Sequence, residues 1–294
     1  MRPRRSVLYM PGSNARALDK ARSLPADGLI LDLEDAVAPD KKATGREQIA
    51  ATLKQSGYGG RELIVRINGL DTPWGADDLA MVARSAANAI LIPKVESAKM
   101  VQEAEELLAA ASASTSLSIW CMMETPLGIL HAEEIAASSG RVECLVMGTS
   151  DLANDLHAAH TRERTPMMTS LGLCLLVARA FGLAILDGVH LDLADDDGFA
   201  HSCAQGKELG FDGKTLIHPK TIAKANEVFA PPPEEVAWSR KIIAAHAEAL
   251  RAGKGAILVD GKLIENLHVE SANRQVALAD AIKAIEAVAP SSPR

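Results

Sequence analysis

The sequence predicts an α/β fold: a closed (β/α)8, or TIM, barrel over residues 1–230, followed by a small helix–hairpin–helix segment over residues 231–294. Three observations lead there. Eight short apolar runs alternate with helical segments through about 230 residues. A parallel crossover needs a helix, and eight such units point to a closed barrel. Hydrophobic residues make up 48 % of the chain but aromatics only 3 %, so Ala, Leu, Val and Ile must build the core, which suits helices packed around a parallel sheet. Finally, no Gly-x-Gly-x-x-Gly pattern follows a strand, which argues against an open dinucleotide-binding sheet.

The elements follow in order. Residues 6–10 read as the first strand, broken by Pro11-Gly12, with Ser13 or Asn14 capping a helix that runs to Arg22. Residues 28–33 form strand two, followed by Glu34-Asp35 and a helix over 41–55. Strand three, 62–67, ends near Arg66, and a helix covers 74–86. Strand four, 89–92, closes at Pro93-Lys94 before a helix over 97–110. Strand five, 117–123, ends at Glu124, with a helix over 127–137. Strand six, 144–147, ends at Gly148; a longer insertion, 157–166, precedes the helix 167–181. Strand seven, 183–186, leads to Asp187-Gly188, and Asp195-Asp196-Asp197 opens a helix to Leu209, where negative charge suits the helix dipole. Strand eight, 213–217, is followed by His218-Pro219 and a helix to Phe229. Pro231-Pro232-Pro233 marks a stiff boundary. Beyond it come a helix over 234–251, a hairpin of 256–259 and 262–267 turning at Asp260-Gly261, and a last helix over 270–288.

Bulk properties narrow the function. A net charge of −7 leaves no excess cation for a polyphosphate backbone, so no nucleic-acid partner is expected. The four cysteines, Cys121, Cys144, Cys174 and Cys203, show no zinc spacing and read as buried free thiols. The basic start is followed by too short an apolar run for a signal peptide, and no run approaches ~20 apolar residues, so no membrane partner and a cytoplasmic location are expected.

In such barrels the chemistry gathers where strands end. Strand ends here supply Asp32, Glu34, Asp35, Arg66, Lys94, Glu124, Asp151, Asp187 and His218. Glu124 and Asp151 close consecutive strands, which sets two carboxylates side by side. That arrangement seats Mg²⁺, with Mn²⁺ as the alternative ion, because Mg²⁺ takes one or two carboxylates and leaves room for substrate and water. So many acids on one rim repel unless a cation neutralises them; the bland alternative is a structural acidic rim. His157 and His160 read as a surface pair.

The stretches Arg5-Ser6-Val7-Leu8-Tyr9-Met10-Pro11-Gly12, Leu31-Asp32-Leu33-Glu34-Asp35, Val65-Arg66-Ile67-Asn68, Ile92-Pro93-Lys94, Met123-Glu124-Thr125-Pro126, Gly148-Thr149-Ser150-Asp151-Leu152 and Lys214-Thr215-Leu216-Ile217-His218-Pro219 run in order along the chain. Together with Asp260-Gly261-Lys262, they resemble the HpcH/HpaI aldolase/citrate lyase family, and within it the citrate lyase β-subunits and malyl-CoA lyases. The resemblance implies a TIM barrel with a C-terminal lid, Mg²⁺ held by Glu124 and Asp151, and a homotrimer or hexamer. It implies that Glu34 and Asp35 orient water and Arg66, and that Arg66 grips a substrate carboxylate or keto oxygen. Arg16 and Lys20 are similar to the family's coenzyme A phosphate contacts; Pro93, Lys94, Ile217 and His218 would flank the pantetheine or adenine. Asp260, otherwise an ordinary hairpin-turn residue, would reach a neighbouring subunit's barrel as acid and base. Glu265 stands where the family often has Asp, and the segment near Asn273-Arg274 is less basic.

The implied reaction is reversible C–C cleavage of a 3-hydroxyacyl-CoA, such as malyl-CoA, to an acyl-CoA and a 2-oxo acid, with coenzyme A entering as part of the substrate. Thioester hydrolysis of malyl-CoA on the same site, a citryl-CoA lyase subunit, and a non-catalytic metal-binding barrel are the alternatives.

Overall fold

The structure is a computed structural model that describes residues 2–55, 57–251, 253 and 256–288, the last without its side chain. Eight parallel strands close on themselves in sequence order: β1 (Ser6–Pro11), β2 (Gly28–Asp32), β3 (Glu62–Arg66), β4 (Ala89–Ile92), β5 (Ser118–Met123), β6 (Val142–Met147), β7 (Ala184–Asp187) and β8 (Gly213–Leu216). β8 pairs with β1 through Ser6↔Lys214 and Leu8↔Leu216, which completes the barrel. The connecting helices are α1 (Ala15–Lys20), α2 (Lys42–Lys54), α3 (Gly75–Ala83), α4 (Ala98–Ala110), α5 (Pro126–Leu130), α6 (Ala132–Ala137), α7 (Thr149–Asp155), α8 (Met168–Ala180), α9 (Asp196–Leu209) and α10 (Ile222–Phe229).

Strand alternation sorts the apolar residues into two layers. Inside the barrel lie Val7, Ile30, Ile64, Leu91, Trp120, Met122, Val146 and Leu186. Their neighbours, such as Leu8, Leu29, Val65, Ile90, Cys121 and Leu145, pack outward against the helices. At the N-terminal end, Arg4 pairs with Glu62 at 2.7 Å and lies 4.8 Å from the centre of the Trp120 ring. That buried ion pair closes the floor. Gly213 is required beside it, since a Cβ there would fall 1.8 Å from the Arg4 carbonyl oxygen.

Several boundaries differ from expectation. The helix expected over 127–137 breaks at His131, which ends α5 and begins α6 while its Nδ1 lies 2.7 Å from the Glu96 carbonyl. The third helix stops at Ala83 because Ser85 turns back onto the Val82 carbonyl through both its backbone N–H and its hydroxyl. All four cysteines are buried free thiols.

Residues 4–229 form one compact unit, and residues 230–288, with residues 2 and 3, belong to another. In the second, α11 (Pro233–Arg251) and α12 (Asn266–Val288) pack with the hairpin β9 (Ile257–Val259) and β10 (Lys262–Ile264) around Ile242, Val259, Ile264 and Ala272. The hairpin is shorter than expected and α12 begins earlier, because the Glu265 carbonyl already accepts from the His268 and Val269 N–H groups. No helix among the described residues is long and apolar enough to cross a membrane.

Candidate active site

The residues at the barrel mouth continue the inward stripes of the strands. Trp120 and Met122 lead to Glu124; Glu62 and Ile64 lead to Arg66; Ile30 leads to Asp32; Val7 leads to Tyr9. A period of two therefore delivers a carboxylate, a guanidinium, a second carboxylate and a phenol to one space. Arg66 donates Nε to Asp32 Oδ1 and Nη2 to Asp32 Oδ2, both at 2.7 Å. Its Nη1 lies 2.7 Å from Glu34 Oε2 and 3.7 Å from Asp35 Oδ2. The Glu34 contact is an ion pair without hydrogen-bond alignment. The Tyr9 ring lies beneath the guanidinium, 4.9 Å from its carbon, and the Tyr9 hydroxyl donates to Met122 Sδ at 3.4 Å. Three carboxylates and an aromatic face thus fix one arginine in a buried pocket, where a bidentate fork has its largest effect.

Glu124 is 2 % exposed. Its Oε1 accepts the backbone N–H of Lys94 at 2.8 Å, and Lys94 takes a left-handed φ of +48° as the chain leaves β4. Among the described residues no lysine or arginine forms an ion pair with Glu124. Burial pushes its carboxyl up to about 8; the Lys94 N–H opposes this, and the Glu34 and Asp151 carboxylates add to it. Burial likewise raises Glu34, with Arg66 opposing. Asp151 stands in the first turn of α7. Glu124, Asp151, Arg66, Asp32 and Asp35 all line one cavity of about 330 Å³. Gly148 keeps it open, since a Cβ there would lie 2.4 Å from Glu124 Oε2.

This arrangement fits a hard divalent cation. A buried carboxylate without a cationic partner, next to a second carboxylate, is held protonated unless a cation joins it. Among the described residues no group of three or more His, Cys, Asp or Glu side chains is placed to hold a metal. A two-carboxylate seat with room for water and substrate is the arrangement Mg²⁺ uses rather than Zn²⁺.

Most of the remaining expected residues lie apart from that pocket. Lys94 and Pro93 line an adjoining cavity together with Glu34 and Thr125, and Lys94 Nζ comes 3.8 Å from Glu34 Oε1. Ile217 lines the Glu124 cavity and is 40 % exposed. His218 is exposed, and its Nδ1 accepts from the Lys220 N–H. Arg16 and Lys20 stand exposed on α1, one turn apart. Asp260 occupies the hairpin turn of the second unit with φ +48°, and Lys241 Nζ holds its carboxylate at 2.6 and 2.7 Å. His157 and His160 are exposed. Asp187, expected on the rim, instead faces the helix layer. Leu186 takes the inward position, so Asp187 points to α9 and binds Lys214 at 2.7 Å and Arg164 at 2.6 Å. The sequence reading missed Tyr9 and the dominance of Asp32 as the Arg66 partner; the inward alternation from Val7 and Ile30 was the signal for both.

The sequence profile of the HpcH/HpaI aldolase/citrate lyase family matches residues 5–219. A (3S)-malyl-CoA thioesterase of Cereibacter sphaeroides is 50 % identical over 285 residues, covering 97 % of this chain and 98 % of the relative. The citrate lyase subunit beta of Escherichia coli is 34 % identical over 284 residues, covering 95 % of this chain and 94 % of the relative. Among solved structures, protein CitE from Mycobacterium tuberculosis in complex with magnesium, acetoacetate and coenzyme A superposes with a TM-score of 0.74 at 29 % identity, over 94 % of this chain and 97 % of that one.

Proposed function

This chain belongs to the HpcH/HpaI aldolase/citrate lyase family, and we propose that it is a Mg²⁺-dependent lyase that reversibly cleaves a 3-hydroxyacyl-CoA, such as L-malyl-CoA, β-methylmalyl-CoA or citramalyl-CoA, to an acyl-CoA and a 2-oxo acid. The observation that carries this reading is the placement of a buried Glu124, without an ion-pair partner among the described residues, beside Asp151 in a cavity that also contains the clamped Arg66. Glu124 and Asp151 would hold the ion. When bound, Mg²⁺ supplies Lewis acidity to a hydroxyl and carboxylate of the substrate.

The protein residues do the rest. Arg66, held by Asp32 and Glu34, presents its remaining donor edge to the substrate carboxylate and stabilises charge on the nascent carbonyl oxygen. As the C–C bond breaks, its electron pair passes to the thioester enolate, and the former hydroxyl gives up its proton to water and becomes the carbonyl of the 2-oxo acid. Asp260 delivers a proton to the enolate carbon, and in the reverse direction removes one from it. We assign Asp260 to the barrel of a neighbouring subunit in a homotrimer or hexamer. Arg16 and Lys20 would meet the coenzyme A phosphates, with Pro93, Lys94, Ile217 and His218 along its length.

A second reading keeps the site and changes the bond. The 50 % identity to relatives named (3S)-malyl-CoA thioesterase favours water attack on the thioester, releasing free coenzyme A and malate. Incubation with Mg²⁺ and malyl-CoA separates the two: the lyase reading expects glyoxylate with acetyl-CoA. Free coenzyme A with malate and no glyoxylate would establish the second reading. Absence of turnover across several hydroxyacyl-CoA esters would refute both and favour a metal-binding barrel.

A further inference from the structure

β1 carries Val7 and Tyr9 on its inward face, so the alternation that fills the barrel with Val7 brings a phenol to the Glu124 cavity. The Tyr9 ring already has a task, since it lies beneath the Arg66 guanidinium at 4.9 Å. A phenylalanine ring would serve there as well. The hydroxyl is what needs a reason. Among the described residues its hydrogen-bond partner is Met122 Sδ at 3.4 Å, and a thioether is a weak acceptor. The chain's other tyrosine, Tyr58, instead donates to the Leu18 carbonyl oxygen at 2.9 Å. Better acceptors stand near Tyr9 but are engaged. Asp32 takes Arg66 on both oxygens and the Glu34 and Ala36 N–H groups besides, and Glu124 Oε1 takes the Lys94 N–H.

Burial keeps the proton on this phenol; Arg66 opposes it, and the Asp32, Glu124 and Glu34 carboxylates add to it. Tyr9 therefore stays a donor and does not become a phenolate. A phenol O–H lies in the plane of its ring, so half a turn about the C–O bond redirects the proton without moving the ring. Giving up Met122 costs little, because that bond is weak. Among the aliphatic hydroxyls of the cavity, Thr215 Oγ1 donates to the Asp187 carbonyl oxygen at 3.1 Å, while Ser150 Oγ is shielded from solvent and has no partner among the described residues. A phenol, with an ordinary pKa of about 10, is a far stronger acid than an alcohol and makes the stronger hydrogen bond to an oxyanion.

We propose, on the reading that a coenzyme A thioester reacts in the Glu124 cavity, that the Tyr9 hydroxyl is the hydrogen-bond donor to the thioester oxygen. The carboxylates proposed to hold the metal, with Arg66, serve the hydroxyl and carboxylate of the substrate, which leaves that oxygen without a donor. In C–C cleavage the electron pair of the broken bond forms the enolate double bond and the carbonyl pair moves onto oxygen. Tyr9 donates to that O⁻ and keeps its own proton. In thioester hydrolysis the same donor meets the oxyanion formed when water adds to the carbonyl carbon. The role holds for either bond and makes Tyr9 a catalytic residue as well as a support for Arg66.

The test uses an isostere of the enolate: the acetyl-CoA analogue in which a methylene replaces the sulfur and a carboxylate replaces the acetyl group. Its affinity and that of coenzyme A for the full-length protein in Mg²⁺ are measured by titration calorimetry, for the wild type, Tyr9→Phe and Ser150→Ala. The wild type should bind the carboxylate analogue about tenfold or more tighter than coenzyme A, the scale of one hydrogen bond to a charged group. Tyr9→Phe should bring that ratio close to one, with coenzyme A affinity within about twofold of wild type, and Ser150→Ala should keep it. Tyr9→Phe retains the ring beneath Arg66, so the unchanged coenzyme A affinity also reports an intact site. Equal binding of the two ligands by the wild type overturns the assignment of Tyr9. So does a ratio that survives in Tyr9→Phe, or one that falls as far in Ser150→Ala. Each of these leaves the thioester reading standing. Failure of both ligands to bind the wild type brings down the coenzyme A reading itself, and the role of Tyr9 with it.

Discussion

Glu124 shows how one buried carboxyl can couple metal, proton and fold. Its folded pKa is raised to about 8 by burial and by the Glu34 and Asp151 carboxylates. An acid raised in the folded state is protonated there while already ionised in the unfolded chain, so it lowers stability as pH climbs from its ordinary value toward 8. A divalent cation favours the ionised form and removes that cost, so metal binding displaces a proton. Mg²⁺ should therefore raise the melting temperature more at pH 8 than at pH 6. Calorimetric scans with and without the ion read this directly, and an equal shift at both values would take Glu124 off the metal. Glu124→Gln should abolish the Mg²⁺-dependent shift and cut turnover about 100-fold or more, while the apo protein melts at least as high as the wild type. Desolvation also explains why Arg66 gathers acids: a guanidinium this buried is tolerated because Asp32 replaces its water with two hydrogen bonds and Glu34 and Asp35 add opposite charge nearby.

At the scale of elements, the site depends on where two strands end and on the residue that leaves each one. β6 ends at Met147, and the missing Cβ of Gly148 just beyond it leaves the space that Glu124 occupies after β5. Gly148→Ala should push that carboxylate aside and weaken Mg²⁺ binding about 10- to 100-fold, the range seen when the groups that orient a metal ligand are disturbed. Mg²⁺ titration would show it, with circular dichroism confirming an intact barrel; unchanged affinity would mean that the glycine only eases packing. β7 and β8 carry a different burden. Lys214 and Asp187 form a fully buried pair between the sheet and α9. Lys214→Met should destabilise the barrel by about 3 kcal/mol, toward the lower end for breaking a buried pair because Arg164 still holds Asp187. Urea unfolding measures it, and a loss under about 1 kcal/mol would show that the arginine alone suffices.

Across the whole molecule, the barrel and the C-terminal helix–hairpin–helix are separate compact units. The acid proposed for proton transfer lies in one and the acids proposed to hold the metal in the other. If a neighbouring subunit supplies Asp260, two inactive variants should complement. Asp260→Asn and Glu124→Gln, each inactive alone, should regain about a quarter of wild-type turnover when co-refolded in equal amounts, since random assembly of a closed ring pairs an intact barrel with an intact hairpin at that frequency. No recovery would place the hairpin acid in its own barrel or outside catalysis.

Much of this was legible from sequence. The alternation of apolar runs with helices set the eight-stranded parallel closure, and the strand-end acids located the mouth, because period-two and helical patterning are local properties of the chain. Arg66, Glu124 and Asp151 were found that way. Tertiary structure alone decided which acids share a cavity. Asp187 ends a strand as Glu124 does, yet one turns to the helices and the other to the barrel axis, because Leu186 claims the inward position on β7. Arg164, in the connection between α7 and α8, joins Asp187 and Gln205 only through packing. No local pattern carries such a meeting, since each partner is chosen by how the layers close around it.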